Sequence, residues 1–211
     1  MSIRKNTDTT LRLVQLAILT AIIVVLQLAG TAVKLNIFGT SISLVLVPIV
    51  LGAMLLGPKA GAFLGFVFGV IAFVAGGVLG GDPFFTVILF QAHPFFTGLI
   101  CIVKGTAAGL CAGLVYRAVC GIQKKGASLA ATFLAAATAP IVNTGLFILG
   151  GLLLVSDTLS ANFVGDGQTV LYYLVFFVAG VNFLLELALN LIAAPAIFRL
   201  YQAFAKRFTK G

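Results

Sequence analysis

Charged residues stand far apart in this chain, and the gaps between them are close to one membrane thickness long. Arg12 and Lys34 enclose 21 uncharged residues, Lys34 and Lys59 enclose 24, and Lys59 and Asp82 enclose 22. Further on, Lys125 and Asp157 enclose 31, and Asp166 and Glu186 enclose 19 before an apolar run to Arg199. A helix needs roughly 20 apolar residues to cross about 30 Å of hydrocarbon. A water-soluble domain carries about 25% charged residues, whereas this chain has 9% charged and 61% hydrophobic residues. A soluble enzyme and a disordered chain are both excluded. Five transmembrane helices follow directly, at about 11–29, 41–56, 60–78, 128–154 and 169–198.

The stretch from Pro83 to Tyr116 has 34 residues, too few for two spans and a turn. Its first part, from Pro83-Phe84-Phe85 to Gln91-Ala92-His93-Pro94, is broken by prolines and polar groups. It reads as an extracytoplasmic or re-entrant segment before one helix at about 97–119. With six helices, Arg4, Lys5, Arg12, Lys59, Arg117, Lys124, Lys125, Arg199, Lys206, Arg207 and Lys210 fall on one side, leaving Lys34 and Lys104. The positive-inside bias then makes both termini cytoplasmic. The expected architecture is a single all-α polytopic domain over residues 1–211, with six transmembrane helices. The first helix is too long for a cleavable signal segment and is expected to be retained. The net charge of +8 follows from topology and needs no nucleic acid. Cys101, Cys111 and Cys120 form no CxxC pair and read as small packing residues.

Glycines mark helix contacts. Gly61, Gly65 and Gly69 on the third helix, and Gly105, Gly109 and Gly113 on the fourth, form stripes that let backbones approach where lipid gives no hydrophobic drive. Ala17 and Ala21 form a weaker version on the first helix. By pattern it is internal packing, although its position allows docking to a partner membrane subunit.

Ionisable groups at bilayer depth are costly and usually functional. Lys104 lies inside the fourth helix and Glu186 near the middle of the sixth. Asn182, Glu186 and Asn190 recur every four residues and so share one face. Asn143, just after Pro140, adds an amide at a kink. Two readings stand side by side. Lys104 and Glu186 form an internal salt bridge, or Lys104 is the counter-ion of an anionic solute oriented by Asn143 and Asn182. His93 reads as a loop residue, and Phe84 and Phe85 as either a lid or an interface anchor. No GxSxG, HExxH or Walker A motif occurs. No enzymatic activity, cofactor or metal site is expected, so active transport would draw on a gradient or on another polypeptide.

Several segments resemble the substrate-binding S components of energy-coupling factor (ECF) vitamin transporters. They are Ala17–Ala21 in AxxxA spacing, Ser43–Val50, Gly57-Pro58-Lys59-Ala60-Gly61, Lys104–Leu110 and Pro140–Gly145. The likeness spans nearly the whole chain and is nearest the folate, pantothenate and riboflavin branch. It implies a membrane-embedded binding subunit that captures a vitamin from outside with high affinity. Its partners would be a transmembrane coupling subunit, docked through Ala17 and Ala21, and two cytoplasmic ATPases in the prokaryotic plasma membrane. Carried over by position, the site would draw on Asn36 and Phe38, then Phe84, Phe85 and Gln91, and then Lys104, Asn143, Tyr172 and Asn182, with Glu186 beside them. The absence of tryptophan argues against the thiamine type, and Met1-Ser2-Ile3 lacks the histidine of the cobalt and nickel members. Lys104 favours an anionic compound, with pantothenate first and folate or riboflavin next. The alternative is an autonomous ion-coupled secondary transporter that uses Glu186.

Overall fold

A computed structural model of the chain describes residues 2–33, 36–37, 40–41, 44–82, 86–122, 129–165 and 167–209. The fold is built almost wholly from helices. They are α1 (Ser2–Val33), α2 (Leu46–Leu56), α3 (Pro58–Ala72), α4 (Thr86–Ala92) and α5 (Pro94–Ile122), then α6 (Leu129–Leu154), α7 (Ser156–Phe163), α8 (Val170–Tyr172) and α9 (Gly180–Thr209). α3 runs on into a π-helical turn, Phe73–Val78, and a second π-helical segment, Tyr173–Ala179, joins α8 to α9. Strands β1 (Asn36–Ile37) and β2 (Thr40–Ser41) pair antiparallel, Asn36 opposite Ser41.

Among the described residues, five helical stretches are long and apolar enough to cross a membrane: Thr9–Thr31, Pro58–Val78, Pro94–Gly121, Leu129–Leu154 and Asn182–Phe204. The sixth expected span, 41–56, is shortened to the 11 residues of α2, about 16 Å at 1.5 Å per residue. The β1–β2 hairpin takes up residue 41 ahead of it. The reason this helix is so apolar also differs. Pro48, Ile49, Val50, Gly52, Ala53 and Met54 are all buried, so its apolar surface faces protein on nearly every side. The segment around 83–94 contains the short helix α4, and the stretch between the expected spans 128–154 and 169–198 contains α7. Asp82 holds the start of α4: Thr86 Oγ1 donates to its Oδ2 at 2.6 Å, and the Thr86 N–H donates to the same oxygen at 3.3 Å.

Both glycine stripes meet in one seam. A Cβ placed on Gly105 would lie 2.5 Å from the Gly65 carbonyl oxygen, and one on Gly69 would lie 2.5 Å from that of Cys101. Gly61 and Gly109 face each other in the same way, and Gly113 abuts Pro58. The partners run in opposite order, so α3 and α5 are antiparallel and touch backbone to backbone. Their seam ends at Gly57, whose φ of 103° suits only glycine and whose open side is covered by the Arg117 guanidinium.

These contacts define two ends. At one end Tyr116 meets Tyr201 edge to face, 5.5 Å between centroids, and Arg12, Lys59, Arg117 and Arg199 are exposed. At the other end lie the C-terminus of α1, the turn Phe73–Val78, α4, the start of α5, the end of α6, and α7. A large core cluster joins α1, α2, α3, α5, α6 and α9. A smaller one, containing Leu89, Ile100, Val155, Leu159 and Leu174, sits wholly at the second end.

Candidate functional site

The polar candidates Lys104, Asn143, Asn182 and Glu186 lie on α5, α6 and α9. Lys104 stands ten residues into α5, about 15 Å from its start, and is half-buried. Its Nζ lies 4.9 Å from the centre of the Phe147 ring on α6. Ammonium over an aromatic face is attractive, and more so where water is excluded. Phe147 follows Asn143 by one helical turn, so Lys104 and Asn143 share the α5–α6 seam. Asn143 is buried, and its Oδ1 accepts no hydrogen bond among the described residues.

α9 supplies the second wall. Glu186 and Asn190 are buried, and Asn190 Nδ2 donates to the Glu186 backbone carbonyl at 2.8 Å. That bond orients the Asn190 amide, whose Oδ1 is left without a partner among the described residues, as is the Oδ1 of half-buried Asn182. Ile141 and Thr144 of α6 line the same cleft as Phe183 and Leu184 of α9. Asn143 is therefore at the depth of Asn182 and Glu186. A buried amide oxygen without a donor costs about 1–3 kcal/mol. Asn143 and Asn182 stand at one depth, with Asn190 about 12 Å further along α9, and such oxygens are able to receive N–H or O–H donors.

The remaining candidates are distributed unevenly. Gln91 on α4 is exposed, and Tyr172 is 45% exposed with its ring 4.8 Å from that of Phe176. Both stand at the same end of the bundle as Lys104. Asn36 belongs to the β1–β2 hairpin, where only its backbone pairing with Ser41 is described. Phe38, Phe84 and Phe85 lie outside the described residues. His93 links α4 to α5, and its backbone carbonyl accepts the Thr97 hydroxyl at 2.8 Å.

Ala17 and Ala21 are not part of an internal helix seam. Both are exposed, on the side of α1 that also exposes Val14, Ile18, Val25 and Leu28. The inward seam of α1 is Leu19, Ile23 and Gln27, spaced by four. Gln27, Thr97 and Thr132 are further buried polar residues that the sequence reading passed over. Amides and hydroxyls are common in apolar helices, and only burial sets these three apart.

A family model described as "ECF transporter, substrate-specific component" matches residues 11–198. No curated protein and no solved structure matches the chain.

Proposed function

Because the chain belongs to the family of ECF transporter substrate-specific components, we propose that it captures a vitamin-type solute at the cell exterior and hands it inward within an ATP-driven complex. Members of this family are membrane-embedded substrate-binding subunits of ECF uptake systems, and this chain is a multi-pass membrane protein. The family match over 188 consecutive residues, 11 to 198, carries the reading. In the proposed topology α2 and the hairpin before it complete a sixth crossing. The end bearing Arg12, Lys59, Arg117 and Arg199 faces the cytoplasm with both termini, as positive-inside bias requires.

The proposed ligand site lies at the opposite end. Lys104 there offers positive charge to an anionic group, Asn143 and Asn182 orient it, and Glu186 with Asn190 closes the deep side. Gln91 and Tyr172 form its rim, and Asn36, Phe38, Phe84 and Phe85 are further ligand-contact candidates by resemblance to the family. An anionic vitamin of the pantothenate type suits this charge best, with folate and riboflavin as the next candidates. The exposed face of α1 around Ala17 and Ala21 docks the coupling subunit, which carries two cytoplasmic ATPases.

Mass spectrometry of the small molecule that co-purifies in mild detergent identifies the ligand directly. Lys104→Ala is expected to weaken its binding more than tenfold, about 1.4 kcal/mol, measured by calorimetry in detergent. Unchanged affinity would remove Lys104 from the site. The decisive test of the transport reading is uptake into vesicles. The purified chain alone is expected to bind solute without accumulating it. Accumulation by the chain alone, abolished in Glu186→Gln, would establish an autonomous ion-coupled carrier and overturn the proposal.

A further inference from the structure

A cleft of about 510 Å³ opens between α6 and the π-helical segment leading into α9. Ile141, Thr144, Gly145 and Ile148 form one wall, and Val175, Phe176, Gly180, Phe183 and Leu184 form the other. Among the described lining residues Thr144 alone carries a side-chain hydroxyl. The cleft is built by the backbone. A Cβ added to Gly145 would meet nothing within 4 Å, so the missing side chain is part of the empty space. The π-helical turn is anchored on its inner side by Leu174, fully buried in the smaller core cluster. Val175 and Phe176 are exposed on the cleft side.

We infer that this cleft is a binding site for one acyl chain of a membrane lipid. The argument rests on where it opens. Both walls belong to, or directly adjoin, helices that cross the membrane, Leu129–Leu154 and Asn182–Phe204. The cleft is continuous with the apolar surface that these helices turn outward. Ile141, Leu149 and Leu153 on α6 and Leu184 and Ile192 on α9 are each more than half exposed. In a bilayer that surface meets hydrocarbon, so the solvent at the cleft mouth is lipid. Water would leave its hydrogen bonds unmade against these walls, and a polar solute would do the same. The volume lies within the roughly 300–1,000 Å³ of small-molecule sites. Phe176 at its edge packs against the Tyr172 ring at a tilt of 32°, so an inserted chain touches the rim proposed for the solute.

The chain contains no tryptophan, so Phe176→Trp supplies a sole indole at the cleft. The test uses phosphatidylcholine vesicles with bromines at mid-acyl positions. Quenching of the cleft indole is expected to exceed by about twofold that of Phe66→Trp, on an exposed position of α3 away from the cleft. Adding Gly145→Leu should bring the cleft indole down to the control and leave the control unchanged. As a measurement independent of any filling variant, native mass spectrometry of the unaltered chain after a delipidating wash should show one phospholipid retained. Equal quenching at both positions with no retained lipid would overturn the inference. Protection of the cleft indole that grows with protein density would assign the cleft to a second copy. Displacement of quenching by the transported solute would assign it to the solute. Either result overturns the acyl-chain assignment.

Discussion

Gly65→Ala is expected to destabilise the protein by about 3 kcal/mol, the upper end of the ~1–3 kcal/mol typical of overpacking, and Gly65→Leu to prevent folding. The added methyl would fall on the backbone carbonyl of Gly105 and 3.1 Å from the Thr106 nitrogen. A side chain can turn aside from such a contact, but a helix backbone cannot. α3 and α5 would have to move apart along the whole run from Gly61–Gly109 to Gly69–Cys101. Their separation would also open the core around Leu64, Phe68 and Ala112. With net stabilities of only about 5–15 kcal/mol for natural proteins, the larger variant should give no monodisperse material. Gly145→Ala is the matched control, because its methyl enters open space and alanine is the better helix former. Unfolding in graded denaturing detergent, followed by circular dichroism, measures both. Equal stability of Gly65→Ala and Gly145→Ala would show that the seam does not hold the bundle together.

Ala17→Trp and Ala21→Trp are expected to abolish capture by the coupling subunit and ATP-driven uptake while leaving solute binding at its original affinity. Both positions are exposed on α1, so the indole displaces no internal packing. Docking between membrane helices depends on close backbone approach over small residues, and two bulky rings remove that approach. Co-purification with a tagged coupling subunit reads the first effect, and calorimetry in detergent reads the second. Normal co-purification of both variants would overturn the docking role of this face. Loss of solute binding together with assembly would place α1 in the ligand site. Leu19→Trp provides the contrast. Leu19 is buried against Gly52, and its replacement should lower stability first.

Much of this protein was legible in its sequence because lipid imposes simple rules. The charge-free runs located three of the long spans within a few residues, 11–29, 60–78 and 128–154, whereas the expected 169–198 starts well ahead of Asn182–Phe204. The glycine stripes named the residues of the α3–α5 seam, since only glycine permits that backbone distance. Hydrophobicity by itself could not tell lipid from protein as the neighbour. The run 41–56 therefore read as a full span, whereas its helical part is the short α2, enclosed by other helices. Prolines and polar groups concealed α4, and α7 lies between two expected spans; each places one leucine, Leu89 and Leu159, in the smaller core cluster.

The candidate site divides along the same line. Lys104, Asn143, Asn182 and Glu186 were recognisable in sequence because a polar group in a long apolar run is costly wherever it lies. Which of them share a seam is a matter of helix pairing, and a period of 3.6 residues says nothing about the partner. Lys104 over Phe147, the common depth of Asn143 and Asn182, and the outward face of Ala17 and Ala21 are consequences of packing. The sequence alone determined that the solvent is a membrane, where helices cross it, and which residues are expensive to keep there, since these depend on local composition. Only the tertiary structure decided which helix faces protein and which faces lipid. It also decided where a cleft remains open, because both depend on contacts between residues far apart in the chain.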